Sequence, residues 1–111
     1  MNTESWISNI QRAFETGCIY YTQHARQEME QEEYGITLEY EVAEMVCDSE
    51  VLRIYADDRP YPSALIYGRT SSNRPLHIVC AWCAEEETVI VVTAYQPDSE
   101  LWDAFRKRMP R

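Results

Sequence analysis

Near residue 50 the apolar pattern of this chain changes period, and that switch limits its possible folds more than any other feature. Before it, apolar residues recur at helical spacing. Trp6, Ile7, Ile10 and Phe14 form one stripe, and Val42, Met45 and Val46 form another. After it come short β-branched and aromatic runs: Val51–Ala56, Ser63–Arg69, Leu76–Cys83 and Thr88–Tyr95. Turn-forming residues separate them. Helices first and hairpin-linked strands second predict an α+β domain, with N-terminal helices packed on a four-stranded, mainly antiparallel sheet.

The element boundaries follow from capping and turn chemistry. Thr3 and Ser5 are candidate N-caps for a first helix that stops at Gly17. Cys18–Tyr21 reads as a linker. Thr22 caps a second helix, Gln23–Tyr34, with Ala25 and Met29 inward and Gly35 at its end. Thr37 caps a third, Leu38 to about Asp48. The strands are joined by the loop Asp57–Pro62, the polar turn Thr70–Asn73 and the acidic turn Glu85–Glu87. Pro97-Asp98-Ser99 breaks the last strand and caps a C-terminal helix, Glu100–Arg108, anchored by Leu101, Trp102 and Phe105. At 111 residues the chain is one domain, residues 1–111. A chain of this size buries about two-thirds of its unfolded surface, enough for one core without disulfides or metal.

Charge divides the chain at the same place as period. Net charge is −9. Residues 1–50 carry 11 acidic and 2 basic side chains, and residues 51–111 carry 8 of each. The acidic half argues against broad phosphate-backbone binding. The neutral half leaves room for a local site, and nine of the ten basic residues are Arg, which suits bidentate phosphate contacts. With only three glycines, dinucleotide and P-loop folds are close to excluded, and no cofactor is expected. The longest uncharged apolar stretch, Ile78 to Ala84, is far short of a membrane span. No secretory signal is visible, so a cytoplasmic location is expected by default and Cys18, Cys47, Cys80 and Cys83 are expected as thiols.

The residues that could carry chemistry are few. His24 and His77 are the only side chains whose ordinary pKa lies near neutrality, and each has an Arg close in sequence. Metal-independent RNA cleavage needs a base for the 2′-hydroxyl, an acid for the leaving 5′-oxygen and cations for the phosphate oxygens. His, Arg and Tyr supply all three. Arg53, Arg69 and Arg74 lie on strands or hairpin ends, and Tyr61, Tyr67 and Tyr95 could stack a base or donate a proton. A hydrogen-bonded structural histidine is the bland alternative for each His, and half-buried sheet packing for most tyrosines. Cys80-Ala81-Trp82-Cys83 matches a CxxC pattern, but residues three apart on a strand point to opposite faces, so no metal site is expected. The acidic run from Glu28 to Glu44 reads as a solvated helix face or a docking surface for a basic partner.

Five segments in order carry a resemblance: Tyr21-Thr22-Gln23-His24-Ala25-Arg26, Tyr34-Gly35-Ile36-Thr37, Tyr55 to Leu65, Arg74-Pro75-Leu76-His77-Ile78-Val79, and Val92-Thr93-Ala94-Tyr95-Gln96-Pro97-Asp98. Together they resemble a widespread prokaryotic family of small domains of unknown function, similar to the RelE/BrnT group of ribonuclease toxins. The match covers roughly residues 20–108, with residues 1–19 an added N-terminal helix. The resemblance implies a RelE-like helix-and-sheet fold, metal-independent endonucleolytic cleavage of mRNA, and a small zinc-finger antitoxin as partner. It places His24, His77 and Tyr95 as catalytic candidates and Arg26 and Arg74 as phosphate contacts. Arg53 joins them as a substrate-binding candidate. RelE-like toxins are typically basic, and this chain departs from that pattern.

Two functional classes follow. A toxin-like endoribonuclease requires His24 and His77 to face one cleft with Arg74 in reach of the same phosphate. A non-catalytic interaction module with an acidic docking face requires neither.

Overall fold

A computed structural model describes residues 1–99 and 102–108. Helix α1 spans Thr3–Thr16 and is followed by strand β1, Ile19–Tyr21. Helices α2, Gln23–Glu30, and α3, Glu39–Cys47, come next. Strands β2 (Ser49–Tyr55), β3 (Ser63–Arg69), β4 (Pro75–Cys83) and β5 (Thr88–Tyr95) follow, and two short strands, β6 (Trp102–Asp103) and β7 (Lys107–Arg108), form a separate hairpin. The fold is α+β, as the period switch predicts, but the sheet has five strands in the order β1-β5-β4-β3-β2 and is mixed. The extra strand is the expected Cys18–Tyr21 linker. β1 runs parallel to β5, pairing Ile19 with Val89 and Tyr21 with Val91. Three residues are too few to show a period, and only the distant β5 makes them a strand.

Helix α1 is capped by Asn2, one residue before Thr3 and three before Ser5: its side chain accepts from the Ser5 N–H at 2.8 Å. It ends at Gly17, whose φ of +78° satisfies the left-handed stop. Helix α2 stops at Glu30, short of the expected Tyr34. Thr37 does not cap α3. Its N–H donates to Met29 O at 2.9 Å and its side chain is buried, while the Glu41 carboxylate accepts from the Leu38 N–H at 3.0 Å. The expected C-terminal helix is replaced over residues 102–108 by the β6–β7 hairpin, with Ala104 and Phe105 at φ +50° and +62°. Glu100 and Leu101 lie outside the described residues. The helical spacing misleads there because Trp102 and Phe105 pack on His77 and Tyr67 of the sheet rather than along one helix face.

All three helices lie on one face of the sheet. Trp6, Ile10 and Ala13 of α1, Ala25 and Met29 of α2, and Val42, Met45 and Val46 of α3 meet Ala64, Ile66, Ile78, Cys80, Val89, Val91 and Ala94 in a single core. Register explains the selection. Ile66, Ile78 and Ala94 are cross-strand partners facing the helices, so their neighbours Tyr67, His77 and Tyr95 form a row on the opposite face. Bulges at Val51/Arg53 and Val79/Cys80 shift the register and bend the sheet. Gly68 lets α3 approach: a Cβ there would stand 2.3 Å from Met45 O. Among the described residues no helix is long and apolar enough to cross a membrane.

Candidate functional site

Past Val91 the β5 edge outruns β1, leaving backbone groups in need of partners. Helix α2 supplies them. Thr22 Oγ1 donates to Val92 O at 3.1 Å, the Glu28 carboxylate accepts from the Ala94 N–H at 3.0 Å and from the Thr93 hydroxyl, and Glu32 accepts from the Gln96 N–H at 2.9 Å. Part of the acidic run, expected on a solvated face, thus closes a sheet edge. Glu41 is a second exception. It is buried against Arg74, whose Nη1 lies 3.2 and 3.1 Å from its two carboxylate oxygens.

Arg74 is occupied on all three guanidinium nitrogens. Besides Glu41, Nε donates to Gln96 Oε1 at 2.8 Å, Nη1 to Ile36 O at 3.1 Å and Nη2 to Gly35 O at 2.6 Å. It staples the α2–α3 loop to the start of β4 and the end of β5, and a phosphate would have to displace this network. Arg26, expected beside it as a phosphate contact, instead pairs with Glu39 at 3.6 Å and lies over the Tyr21 ring.

The two histidines do not share a cleft. His24 is on α2 with its side chain 67 % exposed, 3.5 Å from Glu28. His77 is fully buried on the outer face of β4. Its Nε2–H donates to the Phe105 carbonyl, an acceptor only, so Nδ1 receives the Tyr95 hydroxyl proton at 3.1 Å. Tyr67, Tyr95 and Trp102 meet its ring edge-on, with the Trp102 centroid 4.5 Å away. Burial lowers the His77 pKa, partly offset by the bond to Phe105, and so favours the neutral ring. Burial pushes the Tyr95 hydroxyl up to about 12. Glu28 and Tyr55 add to this and Arg108 opposes it. Two of the three catalytic candidates, His77 and Tyr95, are therefore in direct contact, and the third approaches them only through Glu28.

Arg53 leads to the remaining feature. The hairpin, β2 and Leu65 of β3 enclose a groove of about 490 Å³ lined by Arg53, Tyr55, Trp102, Arg106, Lys107 and Arg108 together with Leu52 and Leu65. Arg106 is fixed by an ion pair to Glu50 and lies over the Tyr67 ring, and Arg108 lies 5.9 Å over Trp102. Among the described residues Arg53, Lys107 and Arg108 have no acidic partner within ion-pair distance. In a chain of net charge −9, this convergence of cations on two aromatic side chains is a local exception to the overall charge. Arg53 was legible as a candidate. The hairpin cations Arg106, Lys107 and Arg108 are neighbours in sequence, but their meeting with Arg53 depends on the hairpin that the helical spacing concealed.

The CxxC pair diverges as strand geometry requires. Cys80 belongs to the core between sheet and helices, where burial pushes its thiol up, and Cys83 lies three residues on, at an outward position. Among the described residues no group of three or more His, Cys, Asp or Glu is placed to hold a metal ion.

A family model described as Domain of unknown function (DUF4258) matches residues 21–96. No curated protein and no solved structure matches the chain.

Proposed function

The chain belongs to the DUF4258 family, a domain of unknown function, and from that premise we propose that it is a toxin-like endoribonuclease that holds RNA in the groove beside Tyr95. The observation that carries this reading is the convergence of Arg53, Lys107 and Arg108 on Tyr55 and Trp102 in one groove. Cations that track a backbone beside aromatic faces that stack bases suit a single strand. Cleavage would run by attack of the 2′-hydroxyl on the adjacent phosphorus. Tyr95 Oη accepts the 2′-hydroxyl proton and passes its own to the unprotonated Nδ1 of His77. Arg53 and Arg108 offset the charge on the phosphorane, and Lys107 protonates the departing 5′-oxygen. A neutralising protein partner of the antitoxin kind belongs to the same proposal.

Full burial of His77 favours a second reading, a non-catalytic interaction module with the same fold. One experiment separates them. A short 5′-labelled single-stranded RNA is titrated in EDTA, followed by fluorescence anisotropy and then by denaturing gel. Three phosphate contacts predict a loss of roughly 20-fold in affinity between about 50 and 200 mM salt, and Arg53→Ala lowers the salt slope by about 0.7. Tyr95→Phe is expected to bind but not cleave. Binding without cleavage by the unaltered protein selects the second reading. Absence of salt-dependent binding overturns the RNA reading altogether.

A further inference from the structure

Between α2 and α3 the chain presents apolar side chains to water in a short, fixed segment. Tyr34, Ile36, Leu38 and Tyr40 are 49, 61, 48 and 60 % exposed. Single exposed apolar residues are ordinary, but four within seven positions concentrate apolar surface in one short segment. The backbone beneath them is held at successive points. Gly35 N–H donates to Glu32 O at 3.2 Å and Thr37 N–H to Met29 O at 2.9 Å, while Arg74 grips the carbonyls of Gly35 and Ile36. Thr37 turns inward and is buried, so Ile36 and Leu38 on either side of it turn out. A loop this firmly anchored loses little freedom when something docks on it.

The charge around the patch identifies the partner's chemistry. Residues 28–50 carry nine acidic side chains and no basic one; Arg26 and Arg74, from outside that stretch, pair with Glu39 and Glu41, and Glu30 and Glu33 stay exposed close in sequence to the apolar residues. An anionic membrane or a nucleic acid would be repelled. A second copy of the chain would set the same acidic rim against itself. We propose that the Tyr34–Tyr40 surface is a docking site for a protein segment that carries an apolar ridge flanked by Lys and Arg, an amphipathic basic helix being the simplest form. The apolar ridge covers Ile36 and Leu38, and the flanking cations meet the glutamates. The site shares no residue with the basic groove and stands whether or not the groove binds RNA.

The test uses the full chain and a synthetic Leu/Lys amphipathic helical peptide. A Leu/Glu peptide of the same apolar face and a scrambled Leu/Lys peptide serve as controls. Amide shifts are mapped by NMR and affinity is measured by calorimetry. Expected results are shifts centred on residues 34–40, affinity that falls with salt, and at least a tenfold loss in Ile36→Ser/Leu38→Ser with thermal midpoint unchanged. Glu30→Lys/Glu33→Lys is expected to weaken binding without touching the apolar residues. Equal binding of the scrambled or acidic peptide, shifts centred elsewhere, or no binding overturns the proposal. So does self-association at low salt that Ile36→Ser/Leu38→Ser abolishes, which would make a second copy the occupant.

Discussion

Replacing Arg74 by Met tests whether this arginine is a structural staple or a ligand contact. Its side chain is 15 % exposed and that of its partner Glu41 is 11 %. Removing one member of such a pair leaves a largely desolvated charge, and for buried pairs that costs about 3–5 kcal/mol. Glu41 keeps the Leu38 N–H as a donor, which places the loss near the lower limit, about 3 kcal/mol. In a domain of this size that corresponds to a fall in Tm of about 12–24 °C. Urea unfolding followed by tryptophan fluorescence measures it directly. Trp6 is buried in the core and reports on global unfolding. The cycle closes with Glu41→Leu and the double variant. The double variant is expected to fall short of the summed single losses by about 1–3 kcal/mol, because it leaves neither charge orphaned. A loss below about 1 kcal/mol in Arg74→Met, or strict additivity in the cycle, would refute the staple and leave the guanidinium available for a phosphate.

Three further outcomes follow from the same packing. Gly68→Ala drives a Cβ to 2.3 Å from Met45 O and 2.9 Å from Asp48 O, both backbone atoms, and is expected to cost about 1–3 kcal/mol or more in urea unfolding. Thr37→Val removes a buried hydroxyl with no hydrogen-bond partner among the described residues and keeps its shape, and a gain of about 1 kcal/mol by the same assay is expected. His77 has a folded pKa below its ordinary 6.5, so the unfolded chain binds more protons once pH drops toward and below that value. Its contribution is complete above pH 6.5 and is lost as pH falls through the folded pKa. The urea midpoint is therefore expected to drop from pH 7 to pH 5, with a smaller drop in His77→Gln.

Strands β3 and β5 were legible to the residue, because β5 is a run of mostly β-branched side chains and β3 an apolar run closed off by the loop Asp57–Pro62 and the turn Thr70–Asn73. The strand β1 was not, since a three-residue strand has no period of its own and exists through pairing with residues 70 positions away. The hairpin at residues 102–108 was concealed for the opposite reason. Its aromatic spacing imitates a helix, and only the outer sheet face with His77 on it shows where Trp102 and Phe105 belong. Site residues divided in the same way. The contact of His77 with Tyr95 follows from register once β4 and β5 pair. The network around Arg74 joins four separated segments, and nothing local in Arg74-Pro75 distinguishes a staple from a phosphate contact. Nor does residue type show that Glu28 and Glu32 close a sheet edge while Glu30 and Glu33 face water.

The parallel pairing of β1 with β5 also sets a timetable for the newborn chain. Ile19–Tyr21 cannot find Val89–Val91 until the latter have been synthesised. At about 5–20 residues per second, those intervening residues take roughly 4–14 s to appear. For that interval Trp6, Ile10 and Ala13 of α1, whose core partners include β5, have an incomplete surface on which to close. The early half must therefore stay soluble on its own, and its 11 acidic side chains against 2 basic ones provide the mutual repulsion that keeps nascent copies apart.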